Sequence, residues 1–125
     1  MRDQKFINLA QKLCKLSEHS YKMAAIVTKG SRILSFGINK YRTHPKQINP
    51  FTKERGVSVH AELAAIIGVS EENLRGSSVY IARRLVNGEA ALAKPCTCCI
   101  AILREAGVKK VIYTINNEEF YKEKV

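Results

Sequence analysis

The sequence predicts an α/β protein, a three-layer α/β/α arrangement around a mixed sheet of about five strands. Three observations predict it. Near the N-terminus Phe6, Leu9, Ala10, Leu13 and Leu16 recur at steps of three and four, the spacing of one buried helical stripe. Farther on, short apolar segments alternate with two segments of helical character, the order of strands joined by crossover helices. With 125 residues, 46% of them hydrophobic, the chain is long enough for one core and too short for two, which predicts a single domain over residues 1–125.

Each element has its local reason. Asp3 can cap the first helix, and Cys14 falls beside the apolar stripe, where it serves packing. "MAAIVT" and "RILSFGIN" read as strands separated by "KGS", in which Gly30 permits a tight hairpin turn. Lys40 to Val57, with Pro45, Pro50 and Gly56, has no clean period and reads as a long functional loop. "SVHAELAAIIG" is apolar and Ala-rich enough for a short helix, with Ser58 as N-cap and Gly68 ending it. "SSVYIAR" reads as a buried strand. After an irregular stretch with an Asn87-Gly88 turn, Pro95 sits where a helix begins, Cys96 to Ala106 continue it and Gly107 stops it. "KKVIYTI" is another strand, and Asn116-Asn117 turn the chain back. "EEFYKEK" then adds an antiparallel edge strand whose lysines protect the edge.

This order predicts where chemistry can sit. Crossover helices open at the carboxyl edge of the strands, so residues that open neighbouring helices meet there even when far apart in sequence. His60 opens one such helix and Cys96 the other.

Charge is uneven. Residues 1–59 carry 12 Lys or Arg against 3 Asp or Glu, a net of +9, whereas residues 60–125 carry 9 against 8, a net of +1. Between Lys40 and Arg55 only Glu54 opposes Lys40, Arg42, Lys46, Lys53 and Arg55, which suits a phosphate-bearing ligand. The plainer reading is a surface kept soluble by charge. The N-terminus lacks the apolar run of a signal peptide, and Leu63 to Val69 is far shorter than the ~20 residues that cross a bilayer. These features predict a soluble, cytoplasmic protein without a membrane partner. In that reducing setting clustered cysteines are metal ligands or catalytic groups more often than disulfides.

Two motifs carry that chemistry: His60-Ala61-Glu62 and Pro95-Cys96-Thr97-Cys98-Cys99. An imidazole and two thiolates form a zinc set, and three protein ligands leave the fourth tetrahedral position open, as catalytic sites do. Cys96 and Cys99 lie one helical turn apart, so both sulfurs reach one ion, while the positive helix end favours the thiolate. Cys98 points to another face. The same rule separates His60 from Glu62 unless His60 sits at the helix opening with non-helical geometry. Glu62 can then reach water at the ion and shuttle its proton. A purely structural zinc site would need a fourth ligand, from Cys98, Cys14 or His44, and would leave Glu62 without a task.

The pair of motifs resembles the H-x-E…P-C-x-x-C zinc signature of the cytidine and deoxycytidylate deaminase superfamily. The resemblance runs from about Ala10 to Tyr113 and includes Gly37-Ile38-Asn39 at the end of the second strand. It implies the cytidine-deaminase-like fold, Zn2+ held by His60, Cys96 and Cys99, and Glu62 as general acid and base. It also implies substrate contacts from Asn39 and Ala61. "NKYRTHP" is similar to the matching loop of phage and bacterial deoxycytidylate deaminase-like proteins, which implies that Lys40 and Arg42 hold a 5′ phosphate. Ile115 to Val125 is similar to the antiparallel ending of small cytidine deaminases. The implied reaction is hydrolytic deamination of a cytosine nucleotide or nucleoside, dCMP foremost, to the uracil form with release of ammonia. Two other readings stay open. A nucleic-acid editing deaminase acting on single-stranded DNA or tRNA would use the net charge of +10 through counterion release. A zinc-binding module without catalysis is the third. Small members of the superfamily are usually homo-oligomers, which implies one here.

Overall fold

A computed structural model describes residues 2–17, 22–39, 61–85 and 87–125 of the chain. The elements are helix α1 (Arg2–Leu13), a 3-10 turn (Cys14–Leu16), strands β1 (Lys22–Lys29) and β2 (Arg32–Ile38), and helices α2 (Ala61–Ile66) and α3 (Glu71–Leu74). Strands β3 (Ser78–Arg84) and β4 (Ala90–Ala91), helix α4 (Thr97–Ala106) and strands β5 (Lys110–Thr114) and β6 (Phe120–Lys124) complete them. The readings made for Lys40 to His60, including the long loop and the Ser58 cap, lie outside the described residues.

The strands form one mixed sheet in the order β2-β1-β3-β5-β6, with β4 paired to β3. β1 is antiparallel to both β2 and β3, β3 is parallel to β5, and β6 returns antiparallel to β5. Thus β2, β3 and β5 run the same way. The helices that follow β2 and β3 open at the carboxyl edge these strands share, as the sequence predicts.

Alternation along the strands divides the core into two layers. On one face Phe6, Ile7, Ala10 and Cys14 pack on Ala24, Ile26, Tyr80, Ala82 and Ile112. On the other, Leu63, Ala65, Ile66, Leu74 and Leu103 from α2, α3 and α4 cover Ala25, Val27, Val79, Ile81 and Val111. Full burial of an apolar side chain such as Ile7, 2% exposed, contributes about 1.5–3 kcal/mol. The expected three-layer α/β/α architecture is therefore present.

Local chemistry explains most boundaries. Gly30, at φ +65°, makes the β1–β2 turn between Lys29 and Arg32, which face each other across the ladder. Gly107, at φ +97°, ends α4, its N–H bonding to Arg104 O at 3.1 Å while Val108 N–H bonds to Leu103 O at 3.1 Å. Two expectations need correction, and two stretches hold more structure than the sequence suggests. Leu16 is 58% exposed because the 3-10 turn at Cys14 changes the angular step and rotates it out of the stripe, whereas Ile7, outside that pattern, is buried. Asp3 is not a cap: α1 already contains it, and its carboxylate accepts from the Tyr80 hydroxyl (2.5 Å) and lies 2.9 Å from Lys122 Nζ. The stretch between Gly68 and Ser77 holds the short helix α3, capped by Ser70 Oγ accepting from Asn73 N–H at 3.3 Å. The stretch around Asn87-Gly88 is a hairpin whose return arm is β4, paired to Arg83 and Arg84.

α2 approaches β2 closely at Gly37, where an added Cβ would lie 2.6 Å from the backbone carbon of Ala64 and 2.7 Å from Ala61 O. Ser35, two residues back on the same face, donates its hydroxyl to Ala65 O. Replacement Gly37→Ala must push backbone against backbone, so it should cost about 1–3 kcal/mol in urea denaturation. A wild-type midpoint in that variant would refute the close approach. A second measurement reads the opposite face. Burial, against a smaller opposing effect of Arg84, pushes the Cys14 thiol up from 9.0 to about 11. The folded chain keeps this proton where the unfolded chain releases it. Its contribution is full below pH 9 and lost as pH rises through about 11. That is about 2–3 kcal/mol. The fall of stability from pH 9 to 11 should therefore be shallower in Cys14→Ala, and equal slopes would contradict the burial of this thiol.

Candidate functional site

The site begins with the start of α4. Pro95 is buried, and its fixed φ leads the chain into Cys96, which has extended backbone (φ −71°, ψ 166°) and is the N-cap rather than the first helical residue. The Sγ of Cys96 accepts from the Cys99 N–H at 3.4 Å, standing where a Ser or Asp oxygen usually stands. Cys96 is exposed, Cys98 half-buried and Cys99 buried, so the three thiols occupy different depths around one helix start.

Across from it stands the first turn of α2. The helix begins at Ala61, directly after His60, so Glu62 sits in its first turn and is 2% exposed. Its carboxylate is close enough to Cys99 to act on that thiol. The Cys99 proton is held far above the ordinary thiol range, first by its hydrogen bond with Cys96, then by burial, then by the charges of Glu62, Cys96 and Cys98. Cys98 is shifted upward too, by burial and by Cys96. Groups that turn negative thus crowd one spot at the meeting of two helix starts. The donor set suits a cation: a positive charge would offset the mutual repulsion of these groups, and thiolates are zinc's soft ligands.

Among the described residues no three His, Cys, Asp or Glu side chains gather into a metal-holding set. The expected third ligand, His60, lies outside them. Cys14, weighed as a fourth ligand, is on the α1 face of the sheet, with Sγ 3.4 Å from Ala82 O, and the sheet separates it from Glu62 and Cys99. His44 lies outside the described residues.

The remaining expected residues divide. Ala61 is fully buried with its methyl in the α2-side core, so toward a ligand it has only backbone to offer. Asn39 follows β2 at the carboxyl edge and is 4% exposed. Its Oδ1 accepts from Ser17 Oγ at 2.6 Å and from Met23 N–H at 2.9 Å. Ser17 Oγ also lies 3.0 Å from Asn39 O, and the Asn39 N–H bonds to Met23 O at 3.3 Å. With its oxygen held twice, the amide turns its donor edge the other way. Lys40 and Arg42 lie outside the described residues. Sequence reasoning missed Ser17, which belongs to no motif and meets Asn39 only through the fold.

Known proteins resemble this chain in sequence and in fold. A family model described as the cytidine and deoxycytidylate deaminase zinc-binding region matches residues 1–115. A deoxycytidylate deaminase of Mycobacterium phage D29 is 25% identical over 128 residues, covering 89% of this chain and 92% of that protein. Among solved structures, the dCMP deaminase of cyanophage S-TIM5 in apo form superposes with a TM-score of 0.64 at 26% identity, over 90% of this chain and 82% of that one. The same cyanophage enzyme in complex with dCMP and dUMP gives 0.62 at 25% identity, over 88% and 78%. Cytidine deaminase from Mycobacterium leprae shares the fold, at a TM-score of 0.56 and 17% identity over 98% of this chain and 93% of that one. No described helix is long and apolar enough to cross a membrane.

Ser17→Ala removes one of the donors that hold the buried Asn39 oxygen. It should lower stability by about 1–2 kcal/mol, and Ser17→Thr should recover part of that in the same melt. Equal stability of Ser17→Ala and wild type would show that the hydroxyl contributes nothing to Asn39.

Proposed function

The chain belongs to the cytidine and deoxycytidylate deaminase family, and from that premise we propose that it is a zinc-dependent hydrolase that deaminates a cytosine nucleotide, dCMP foremost. One observation carries the proposal. Cys99 meets a group from each of two separate segments, its N–H bonding to Cys96 Sγ at 3.4 Å and its thiol under the influence of the Glu62 carboxylate in the first turn of α2.

His60, Cys96 and Cys99 would hold the ion. Zinc, when bound, supplies Lewis acidity that brings water close to ionisation at neutral pH. Glu62 takes the proton that water gives up and delivers it to N3 of the cytosine ring. C4 gains the oxygen, a second proton passes through Glu62 to the amino group, and ammonia leaves a uracil base. Because Glu62 is buried, bulk water does not compete for these protons. Asn39 turns its donor edge toward the sugar, and the Ala61 backbone borders the base. Lys40 and Arg42 meet the 5′ phosphate. The solved cyanophage enzyme with dCMP and dUMP supports a nucleotide as the ligand class. A single domain, assembled as a homo-oligomer, completes the reading.

A second substrate class is favoured by one observation, the net charge of +10. It would serve single-stranded DNA or tRNA through counterion release. Zinc-loaded protein should release ammonia from dCMP at a rate that changes little with salt. Activity confined to DNA or tRNA, falling steeply with salt, would favour the second class. Glu62→Gln should keep zinc and lose about 10²–10⁴-fold in rate, the range for a positioned acid or base. Unchanged behaviour of that variant in every assay would reduce the site to a zinc module.

A further inference from the structure

The segment that delivers Cys96 to the site has little strand pairing of its own. Between the hairpin at Leu85–Glu89 and the start of α4, only Ala90 and Ala91 pair with β3. Its path is set instead by the end of β5. Thr114, the last residue of that strand, is fully buried. Its hydroxyl donates to Ala91 O at 2.7 Å and lies 3.4 Å from the Arg83 N–H, while its carbonyl accepts from the Ala93 N–H at 2.9 Å. Asn117 Oδ1, just beyond, accepts from the Ala90 N–H at 2.7 Å. Backbone groups of residues 90, 91 and 93 are thus all closed by Thr114 and Asn117. Ala93 is 1% exposed in the α2-side core, and Pro95 is buried beside the helix start.

This arrangement holds Cys96 from two sides. The helix holds its sulfur through the Cys99 N–H, and β5 holds the strap that precedes it. Building on the zinc reading above, we propose that Thr114 is a positioning residue for the metal centre: its hydroxyl sets the strap that places Cys96 against Cys99. The hydroxyl acts through backbone and touches neither metal nor substrate. A methyl in its place would leave Ala91 O and the Arg83 N–H without that partner, and the strap could relax while the α4 cap stays formed.

The test is zinc affinity, measured by chelator competition on the full chain, with the visible spectrum of the cobalt-substituted protein as a readout of ligand geometry. Thr114→Val should bind zinc about 10–100-fold more weakly, the usual effect of losing an outer-shell partner, with a weakened thiolate-to-cobalt band. Thr114→Ser, which keeps the hydroxyl, should stay within about 3-fold of wild type. A control for stability alone is Ser77→Ala, which removes a buried bond of 2.6 Å to Leu74 O at the opposite end of β3. It should lower the melting temperature without changing zinc affinity. If Thr114→Val does not fold, Asn117→Ala removes only the exposed end of the clamp and should weaken zinc several-fold. Wild-type affinity in Thr114→Val, or in Asn117→Ala where that variant stands in, overturns the proposal while leaving the zinc reading intact. An equal loss in Ser77→Ala does the same. A wild-type protein that takes up no zinc overturns both.

Discussion

The backbone of α2 rests against the backbone of β2 because position 37 carries no side chain, and the rest of the site depends on that contact. A helix normally stands off a sheet by the thickness of its side chains. Here glycine removes that spacer at one point, the Ser35 hydroxyl ties the far end of the helix down through Ala65 O, and the helix itself is only six residues long. So short a segment cannot hold its own conformation in water. It is held by what it packs on, with Leu63, Ala65 and Ile66 in the core. Glu62 rides on this anchored turn, which is why a buried carboxylate can be kept facing a cluster of thiols.

Burying such a carboxylate beside sulfurs works against stability unless something else compensates. Desolvation and mutual repulsion both disfavour the charged forms. The Cys99 proton is retained for these reasons, with the Cys96 hydrogen bond leading. The fold meets this cost with the two-layer core, and the proposed function offers a reason for carrying it: a divalent cation would convert the same crowding into binding energy. Under the proposed reading stability and metal uptake would be linked, because two of the crowded groups, Cys96 and Cys99, are ones that would hold the ion.

Polar contacts away from the site follow a different rule. Asp3, Tyr80 and Lys122 connect the first helix, the central strand and the last strand, and Tyr113 donates to Glu123 Oε1 at 2.7 Å; burial first, and then this bond, pushes its phenol up to about 12. These links bind β6 to the sheet by side chains as well as by its ladder. Two sets of bonds lie at the carboxyl edge, Ser17 with Asn39 (buried, 2.6 Å) and Thr114 with the strap (part-buried, 2.7 Å to Ala91 O), and each ties down a segment that has little strand pairing of its own.

Much of this was legible in the residues themselves. Strand and helix identities rest on local periodicity and on Gly30, Pro95 and Gly107, which act on their immediate neighbours. The candidate metal motif is legible because Cys96-x-x-Cys99 spans one helical turn and His60-x-Glu62 stands at the opening of another helical segment. Only tertiary structure decided the rest. That Cys14 is on the far face while Cys99 is beside Glu62 depends on which side of the sheet each helix packs. That Leu16 turns outward depends on one tightened turn. Ser17 and Thr114 had no signal, because a hydroxyl that closes a polar group 20 or more residues away leaves no periodic trace in the sequence. Local order comes from short-range sterics, whereas placement of the chemistry comes from long-range hydrogen bonds that exist only once the sheet has formed.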